Sequence, residues 1–136
     1  MKLSPYLSFD GRCETAFKFY EKCLGGKIEA IMPYKGSPME SEVSAEWVDK
    51  VMHGEFRLGD FVLMGSDCMP DKHEATKGSS LMLAIEDPVE AERAFNALAE
   101  NGTVTMPIQE TFWAAKFGIL VDQFGIPWMI NCDQTA

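Results

Sequence analysis

The sequence is short of basic residues and has no long apolar stretch. Its 12 Lys and Arg residues form no run and are outnumbered by 21 Asp and Glu residues, for a formal net charge of −9. Nucleic acids and anionic membranes are bound by clustered basic side chains, so we expect neither as a partner. No apolar stretch approaches the roughly 20 residues that cross a bilayer. Because Met1–Tyr6 also lacks a signal-peptide core, we predict a soluble, cytoplasmic protein.

Cysteine is scarce as well, and its spacing excludes two common kinds of site. No CxxC pair is present, so neither a zinc knuckle nor a thioredoxin-like redox centre is indicated. Free cysteine is usually found inside proteins. We therefore interpret the four cysteines as reduced, buried thiols: Cys13, Cys23, Cys68 and Cys132.

What the sequence does contain is the same order of elements twice. An apolar stripe at helical spacing follows the first strand of each half, from Cys13 to Leu24 and from Ala91 to Leu98. Asp10-Gly11 predicts a turn with a capping carboxylate before the first helix, and Asp87-Pro88 predicts the cap of the second. The predicted strands are 3–9, 27–33, 51–58 and 61–66 in the first half, and 80–86, 103–108, 116–122 and 127–132 in the second.

A residue-level repeat supports this division. The segment 59–67 can be laid over 125–133 at a shift of 66 residues, with Gly opening and Asp closing each block. We predict an α+β fold in which two tandem βαβββ modules form U-shaped mixed sheets around a cleft. Residues 1–136 would be a single domain, with one module at about 1–67, a linker at 68–78 and a second module at about 79–136.

Six segments in order cover nearly the whole chain: 5–11, 16–20, 51–56, 102–107, 112–118 and 122–131. Together they resemble one known family, the PhnB-like branch of the vicinal oxygen chelate superfamily. Its relatives include glyoxalase I, bleomycin-resistance proteins and extradiol dioxygenases. The resemblance implies paired βαβββ modules and, as a rule, a homodimer.

The resemblance also implies where a metal would bind, on the inward faces of the first and last strands of each module. Those positions are Ser4 and Ser80 on the first strands, with Leu63 or Met64 and Met129 on the late ones. Hydroxyl and apolar side chains are poor ligands for a divalent ion. We therefore expect no metal and no cofactor. His73 lies in a charged segment, Asp71 to Glu74, and is interpreted as solvated.

His53 and Glu55 are the candidate catalytic pair. On the third predicted strand Val51, His53 and Glu55 alternate, so all three should share one face. An imidazole beside a carboxylate can act as a general base near neutral pH. The alternative is that His53 only forms a hydrogen bond across the sheet.

Six further residues are candidate ligand-binding groups, placed by the inferred fold. Aromatic rings could stack on a flat ligand, a lysine and an amide could orient a polar substituent, and a phenol could add a hydroxyl. The alternative for the large rings is a place in the core. These residues are Tyr6, Phe112, Trp113, Lys116, Trp128 and Asn131.

These observations lead to three hypotheses of function. The first is a protein that binds an unknown small organic molecule in a metal-free cleft, and that sequesters it or acts on it through His53. The second is a metal-dependent lyase, isomerase or dioxygenase of the same superfamily. The third is a dimeric scaffold without a ligand. Members of the family are sometimes called demethylubiquinone methyltransferases, but no glycine-rich loop follows any predicted strand, so methyl transfer is not indicated.

Overall fold

Residues 1–134 are described by a computed structural model, and their contacts divide them into two units. The first unit is Met1–Ala75, and the second begins at Thr76. Each unit holds one helix and one open, four-stranded mixed sheet, which confirms the predicted α+β fold of two βαβββ modules. The elements of the first unit are β1 (Tyr6–Phe9), α1 (Cys13–Leu24), β2 (Lys27–Pro33), β3 (Val51–Leu58) and β4 (Phe61–Asp67); those of the second are β5 (Leu81–Ala84), α2 (Pro88–Leu98), β6 (Thr103–Gln109), β7 (Ala114–Val121) and β8 (Pro127–Asp133).

The two sheets have the same topology. In the first the strand order is β1-β4-β3-β2, and in the second it is β5-β8-β7-β6. The first strand of each unit runs parallel to the last, while the other pairs are antiparallel. The two strands that flank each helix in the sequence therefore lie at opposite edges of their sheet.

β2 and β3 have the predicted bounds, and the other strands differ from theirs by one to three residues. The largest difference is at β1, which begins at Tyr6 rather than at residue 3. Pro5 precedes it and has no N–H to give to a ladder, although its carbonyl accepts a hydrogen bond from the Met64 N–H at 3.0 Å. The segment between β2 and β3 also contains two short 3₁₀ turns that the sequence pattern did not indicate, Glu40–Glu42 and Ala45–Trp47.

One face of the first sheet packs on α1 through aromatic side chains. Phe17 of α1 meets Phe9 edge to face at 5.9 Å between ring centroids and Phe56 at 6.0 Å. Gly65 leaves the space for this packing, since a Cβ atom there would lie 3.0 Å from the Phe9 ring and 3.2 Å from the Phe17 ring. Burying each such ring contributes roughly 1.5–3 kcal/mol.

The cap of α1 comes from a distant residue rather than from Asp10, so the predicted local cap is wrong. Arg12 is the residue before the helix, and its side chain makes no capping hydrogen bond. Instead Oδ1 of Asp67 accepts hydrogen bonds from the N–H groups of Gly11, at 3.0 Å, and Cys13, at 2.9 Å. Its Oδ2 accepts a third from the N–H of Val51 at 2.9 Å. Asp67 is 1% exposed and joins the end of β4 to the starts of α1 and β3.

The second unit has the local cap that the sequence indicates. Oδ1 of Asp87 accepts a hydrogen bond from the Val89 N–H at 3.2 Å, with Pro88 in the first turn. Its core is formed by α2 and β8, including Phe95, Leu98, Trp128 and Ile130. The tight turn before β8 is closed by Gly125, whose φ of 85° is accessible to glycine at little cost.

Three of the four cysteines confirm the interpretation as buried thiols. Cys13, Cys23 and Cys132 are buried, Cys68 is half-buried, and none of the four forms a disulfide. Burial, together with the neighbouring Asp67 charge, raises the pKa of the Cys13 thiol above its ordinary range. Cys13 is therefore held as an unreactive neutral thiol at physiological pH.

We predict that Asp67→Asn lowers the free energy of unfolding by about 2–4 kcal/mol, measured by urea denaturation. An amide offers one acceptor oxygen instead of two. Its NH₂ group would therefore face a backbone N–H group that now donates a hydrogen bond to Asp67. Asp71→Asn, at an exposed position, is the matched control and should change stability by less than about 0.5 kcal/mol. Equal stability of the two variants would show that the Asp67 hydrogen bonds contribute little.

Candidate functional site

The face of the first sheet that turns away from α1 carries the polar side chains of that unit. We call it the open face. Leu7, Gly65 and Phe56 lie on the α1 side, and because side chains alternate along a strand, their neighbours lie on the other. The open face is made of Tyr6, Ser8, His53, Glu55, Met64 and Ser66.

Val51 does not share this face with His53, so that part of the predicted alternation is wrong. The register of β2 and β3 pairs Met32 with His53 but Pro33 with Val51, which leaves Met52 as an extra residue in β3. An extra residue in one strand is a β-bulge, and it reverses the faces beyond it. Val51 is accordingly 2% exposed and lies beside Gly54, on the α1 side of the sheet.

His53 lies between a phenol and a carboxylate. Its Nδ1 is 3.1 Å from the Tyr6 hydroxyl, and its Nε2 is 3.8 Å from Oε2 of Glu55. The side chains of His53 and Glu55 are 26% and 33% exposed, whereas Tyr6 is 55% exposed. Tyr6 is therefore the most exposed residue of this group. The structure adds Tyr6, which the sequence analysis had named as a ligand-binding residue, to the predicted pair of His53 and Glu55.

A second polar group adjoins the first, and the sequence analysis did not identify it as a site. The Ser8 hydroxyl donates a hydrogen bond to Sγ of Cys68 at 2.9 Å and lies 3.5 Å from Nδ1 of His73. All three side chains are half-buried, so His73 is more enclosed than the predicted solvated residue. The available signal was topological: Ser8 is two residues from Tyr6, and Cys68 directly follows β4.

Tyr34 lies beside this second group. Its hydroxyl donates a hydrogen bond of 2.7 Å to the carbonyl oxygen of Asp67. Burial is the largest cause that raises the pKa of the Tyr34 phenol, and Cys68, Asp67 and Tyr6 add to the effect. Tyr34 is thus near both polar groups, and it remains a neutral hydrogen-bond donor at physiological pH.

The predicted residues of the second unit do not form one site. Trp128 is 2% exposed, and its indole Nε1–H donates a hydrogen bond of 2.8 Å to Oδ2 of the buried Asp122. Its ring belongs to the core, which was the alternative left open for the large aromatic residues.

Lys116 and Asn131 lie on opposite faces of the second sheet, so they cannot jointly orient one substituent. Lys116 pairs across the ladder with Cys132, and its Nζ is 3.4 Å from Oε2 of Glu92 on α2. Asn131 pairs with Phe117, one position further along, and its Nδ2 donates to Oδ1 of Asp133 at 2.9 Å. Residues adjacent in a strand point to opposite sides.

Asn131 and its neighbours line a concavity at the end of β8. Its volume is about 440 Å³. Within residues 1–134, Oδ1 of Asn131 is buried and has no hydrogen-bond partner. The lining residues are Ala84, Ile85, Glu86, Asn131, Asp133 and Gln134.

Phe112 and Trp113 form an exposed aromatic pair beside the buried ring of Phe117. Phe112 is 91% exposed and Trp113 is 46% exposed. The Phe112 and Trp113 rings meet edge to face at 4.8 Å, and Trp113 meets Phe117 at 5.3 Å. The Phe112 and Trp113 rings are accessible for stacking, and their role in ligand binding stays a prediction.

The positions that the family resemblance assigns to metal ligands carry weak donors. Ser4 and Ser80 lie just before β1 and β5, Met64 is on the open face, and Leu63 is on the α1 side. In the described part of the chain, no three His, Cys, Asp or Glu side chains are grouped as metal ligands.

No helix among residues 1–134 has the length and apolar character to cross a membrane.

The chain belongs to the family described as 3-demethylubiquinone-9 3-methyltransferase, which it matches over residues 1–131. It is 38% identical to protein YjdN of Escherichia coli strain K12, over 96% of this chain and 95% of that protein. It is also similar to the crystal structure of protein PA1353 from Pseudomonas aeruginosa, with 47% identity, a TM-score of 0.89 and 99% of both chains covered.

A third relative bears the name that the sequence resemblance indicated. It is a putative 3-demethylubiquinone-9 3-methyltransferase, PhnB protein, from Bacillus cereus, with 26% identity, a TM-score of 0.82, and coverage of 97% of this chain and 99% of that one. The fold is also that of a glyoxylase/bleomycin resistance protein/dioxygenase domain from Frankia, with 12% identity, a TM-score of 0.66, and coverage of 97% and 94%. The predicted PhnB-like membership and superfamily fold are thus confirmed.

We predict that Trp128→Phe lowers the free energy of unfolding by about 1–3 kcal/mol, because Asp122 then loses the indole donor inside the core. The matched control is Trp113→Phe, which keeps an aromatic ring at a half-exposed position and should cost less than about 0.5 kcal/mol. Urea denaturation followed by circular dichroism compares the two. A larger loss for Trp113→Phe would contradict the assignment of Trp128 to the core.

Proposed function

We propose that this protein binds a small organic molecule at the open face of the first sheet and acts on it by acid–base chemistry without a metal. The observation that carries the proposal is the placement of His53 between the Tyr6 hydroxyl, at 3.1 Å, and the Glu55 carboxylate, at 3.8 Å. Tyr6 is the group that meets the ligand, His53 exchanges a proton with it, and Glu55 orients His53.

The contact between Tyr6 and His53 supports one direction of proton transfer. When Nδ1 accepts the hydrogen bond from Tyr6, neutral His53 carries its proton on Nε2, on the Glu55 side. Tyr6 then takes a proton from the ligand while its own proton passes to Nδ1. The Glu55 carboxylate stabilises the imidazolium that forms, as an acidic partner does in other histidine relays.

The surroundings of this relay favour a ligand with an apolar body and one acidic proton. Met64 pairs across the sheet with both Tyr6 and Glu55, and Met32, which is 43% exposed, pairs with His53. Methionine side chains are flexible and polarisable, so they can pack against apolar ligands of different shapes. The net charge of −9 disfavours a strongly anionic ligand.

The family description names a methyltransferase, but the helix starts support the acid–base proposal better. Dinucleotide and methyl-donor folds use free N–H groups at a helix start after a strand. Here the N–H groups of Gly11 and Cys13 at α1 are taken by Asp67, and that of Val89 at α2 is taken by Asp87. Each helix start already holds a carboxylate.

We predict that the protein catalyses hydrogen–deuterium exchange at acidic C–H bonds, measured by proton NMR on a panel of small uncharged ketones in deuterated water. Tyr6→Phe and His53→Gln should each reduce the rate by about 100-fold, since each removes one group of the relay. Glu55→Gln should have a smaller effect, because the orienting group is altered and the base is kept.

The control variant is Glu29→Gln, which removes a carboxylate of the same sheet that pairs with Arg57 at 2.8 Å, outside the relay. It should exchange at the wild-type rate, and His53→Gln should keep a thermal transition within a few degrees of wild type. Exchange that is lost on treatment with EDTA and restored by a divalent ion would favour the metal-dependent alternative. If every compound exchanges only at the rate seen in buffer without protein, and no metabolite is retained in a pull-down, the result would favour the third hypothesis, a dimeric scaffold without a ligand.

We also propose that the protein is a homodimer. Several large apolar side chains are exposed in the single chain, among them Phe61 at 78% and Phe112 at 91%. Exposed apolar side chains are often covered by a partner subunit. We predict a dimer in sedimentation velocity at micromolar concentration, and a monomer at every concentration measured would refute the assignment.

A further inference from the structure

Beside the Tyr6 relay lies a thiol with a separate proton acceptor of its own. The Ser8 hydroxyl is 2.9 Å from Sγ of Cys68 and 3.5 Å from Nδ1 of His73, so one hydroxyl connects a nucleophile with a base. Cys68 is the most accessible cysteine, because Cys13, Cys23 and Cys132 are buried. The acid–base proposal uses none of the three residues Ser8, Cys68 and His73.

We propose that Cys68 is a nucleophile that adds to uncharged α,β-unsaturated carbonyl compounds, with Ser8 and His73 as its proton relay. At rest the Ser8 hydroxyl donates to Sγ of Cys68, and in the reaction it turns to donate to Nδ1 of His73. The Cys68 proton then passes to the Ser8 oxygen while the Ser8 proton passes to Nδ1 of His73. The sulfur lone pair forms a bond to the β-carbon of the ligand, and the electrons of the C=C bond move towards the carbonyl as an enolate.

The same relay then returns the proton. His73 gives it back through Ser8, and the enolate is protonated at the α-carbon, so the net reaction adds S–H across the double bond. No leaving group, oxidant or reductant is required. The relay thus supplies every proton transfer that conjugate addition needs, whereas thiol oxidation would also need a peroxide.

Three features of the surroundings agree with this class of ligand. A thiol sulfur is a soft nucleophile, and Met64 on the open face gives an apolar, polarisable contact for a conjugated carbon skeleton. Tyr34, which donates to the Asp67 carbonyl next to Cys68, holds the chain at this position. The net charge of −9 favours an uncharged electrophile over an anionic one.

The test uses N-ethylmaleimide as the probe and the full-length protein at pH 7, with the modified residue identified by mass spectrometry. Cys68 should be alkylated first, with the three buried cysteines as internal references. Ser8→Ala and His73→Gln should each slow the alkylation of Cys68 by at least about tenfold, because each interrupts the relay. The wild-type rate should show a normal solvent deuterium isotope effect that is absent in His73→Gln.

Asp71→Asn, which changes a charge two residues from His73, is the control and should leave the rate unchanged. The proposal is overturned if Ser8→Ala and His73→Gln react as fast as wild type, or if Cys68 reacts no faster than glutathione. It is also overturned if hydrogen peroxide modifies Cys68 faster than equimolar N-ethylmaleimide. Tyr6→Phe should leave the alkylation rate unchanged, so this proposal and the acid–base proposal can fail separately.

Discussion

The carboxylate of Asp67 connects three parts of the first unit that are far apart in sequence. Its two oxygens accept N–H groups from Gly11, Cys13 and Val51, and its own carbonyl accepts the Tyr34 hydroxyl. A buried carboxylate is stable only when such donors surround it. The end of β4, the start of α1 and the start of β3 are therefore held in one arrangement, on which the positions of the strands that carry Tyr6 and His53 depend.

Two polar groups lie next to each other on the open face because of this arrangement. Tyr6 and Ser8 are two residues apart on β1, so each points to the same side and meets a different partner. The bulge at Met52 keeps His53 on that side while it places Val51 in the core beneath Asp67. One irregularity in β3 thus serves both the polar site and the buried carboxylate.

Much of the fold could be predicted because it depends on local signals. Helical spacing and the Asp87-Pro88 cap identified the helices to within a few residues. The repeat correctly predicted the order of elements, but its shift of 66 residues is wrong by one. It aligns Asp67, on the α1 side, with Asp133, which lies on the face of β8 opposite α2. An error of one residue is invisible in a sequence alignment of short strands, yet it reverses the face.

The sequence by itself determined the α+β class, the two modules and the family, since these follow from periodicity and from motifs that lie along the chain. Only the tertiary structure decided which side chains meet. Tyr6 and His53, or Ser8 and Cys68, are separated by many residues and are joined by the pairing of β1 with β4 and of β4 with β3. Lys116 and Asn131 lie on opposite faces of the second sheet, because neighbouring residues of a pleated strand point to opposite sides. Contacts of this kind depend on register and bulges, which are set by the packing of the whole unit rather than by any local pattern.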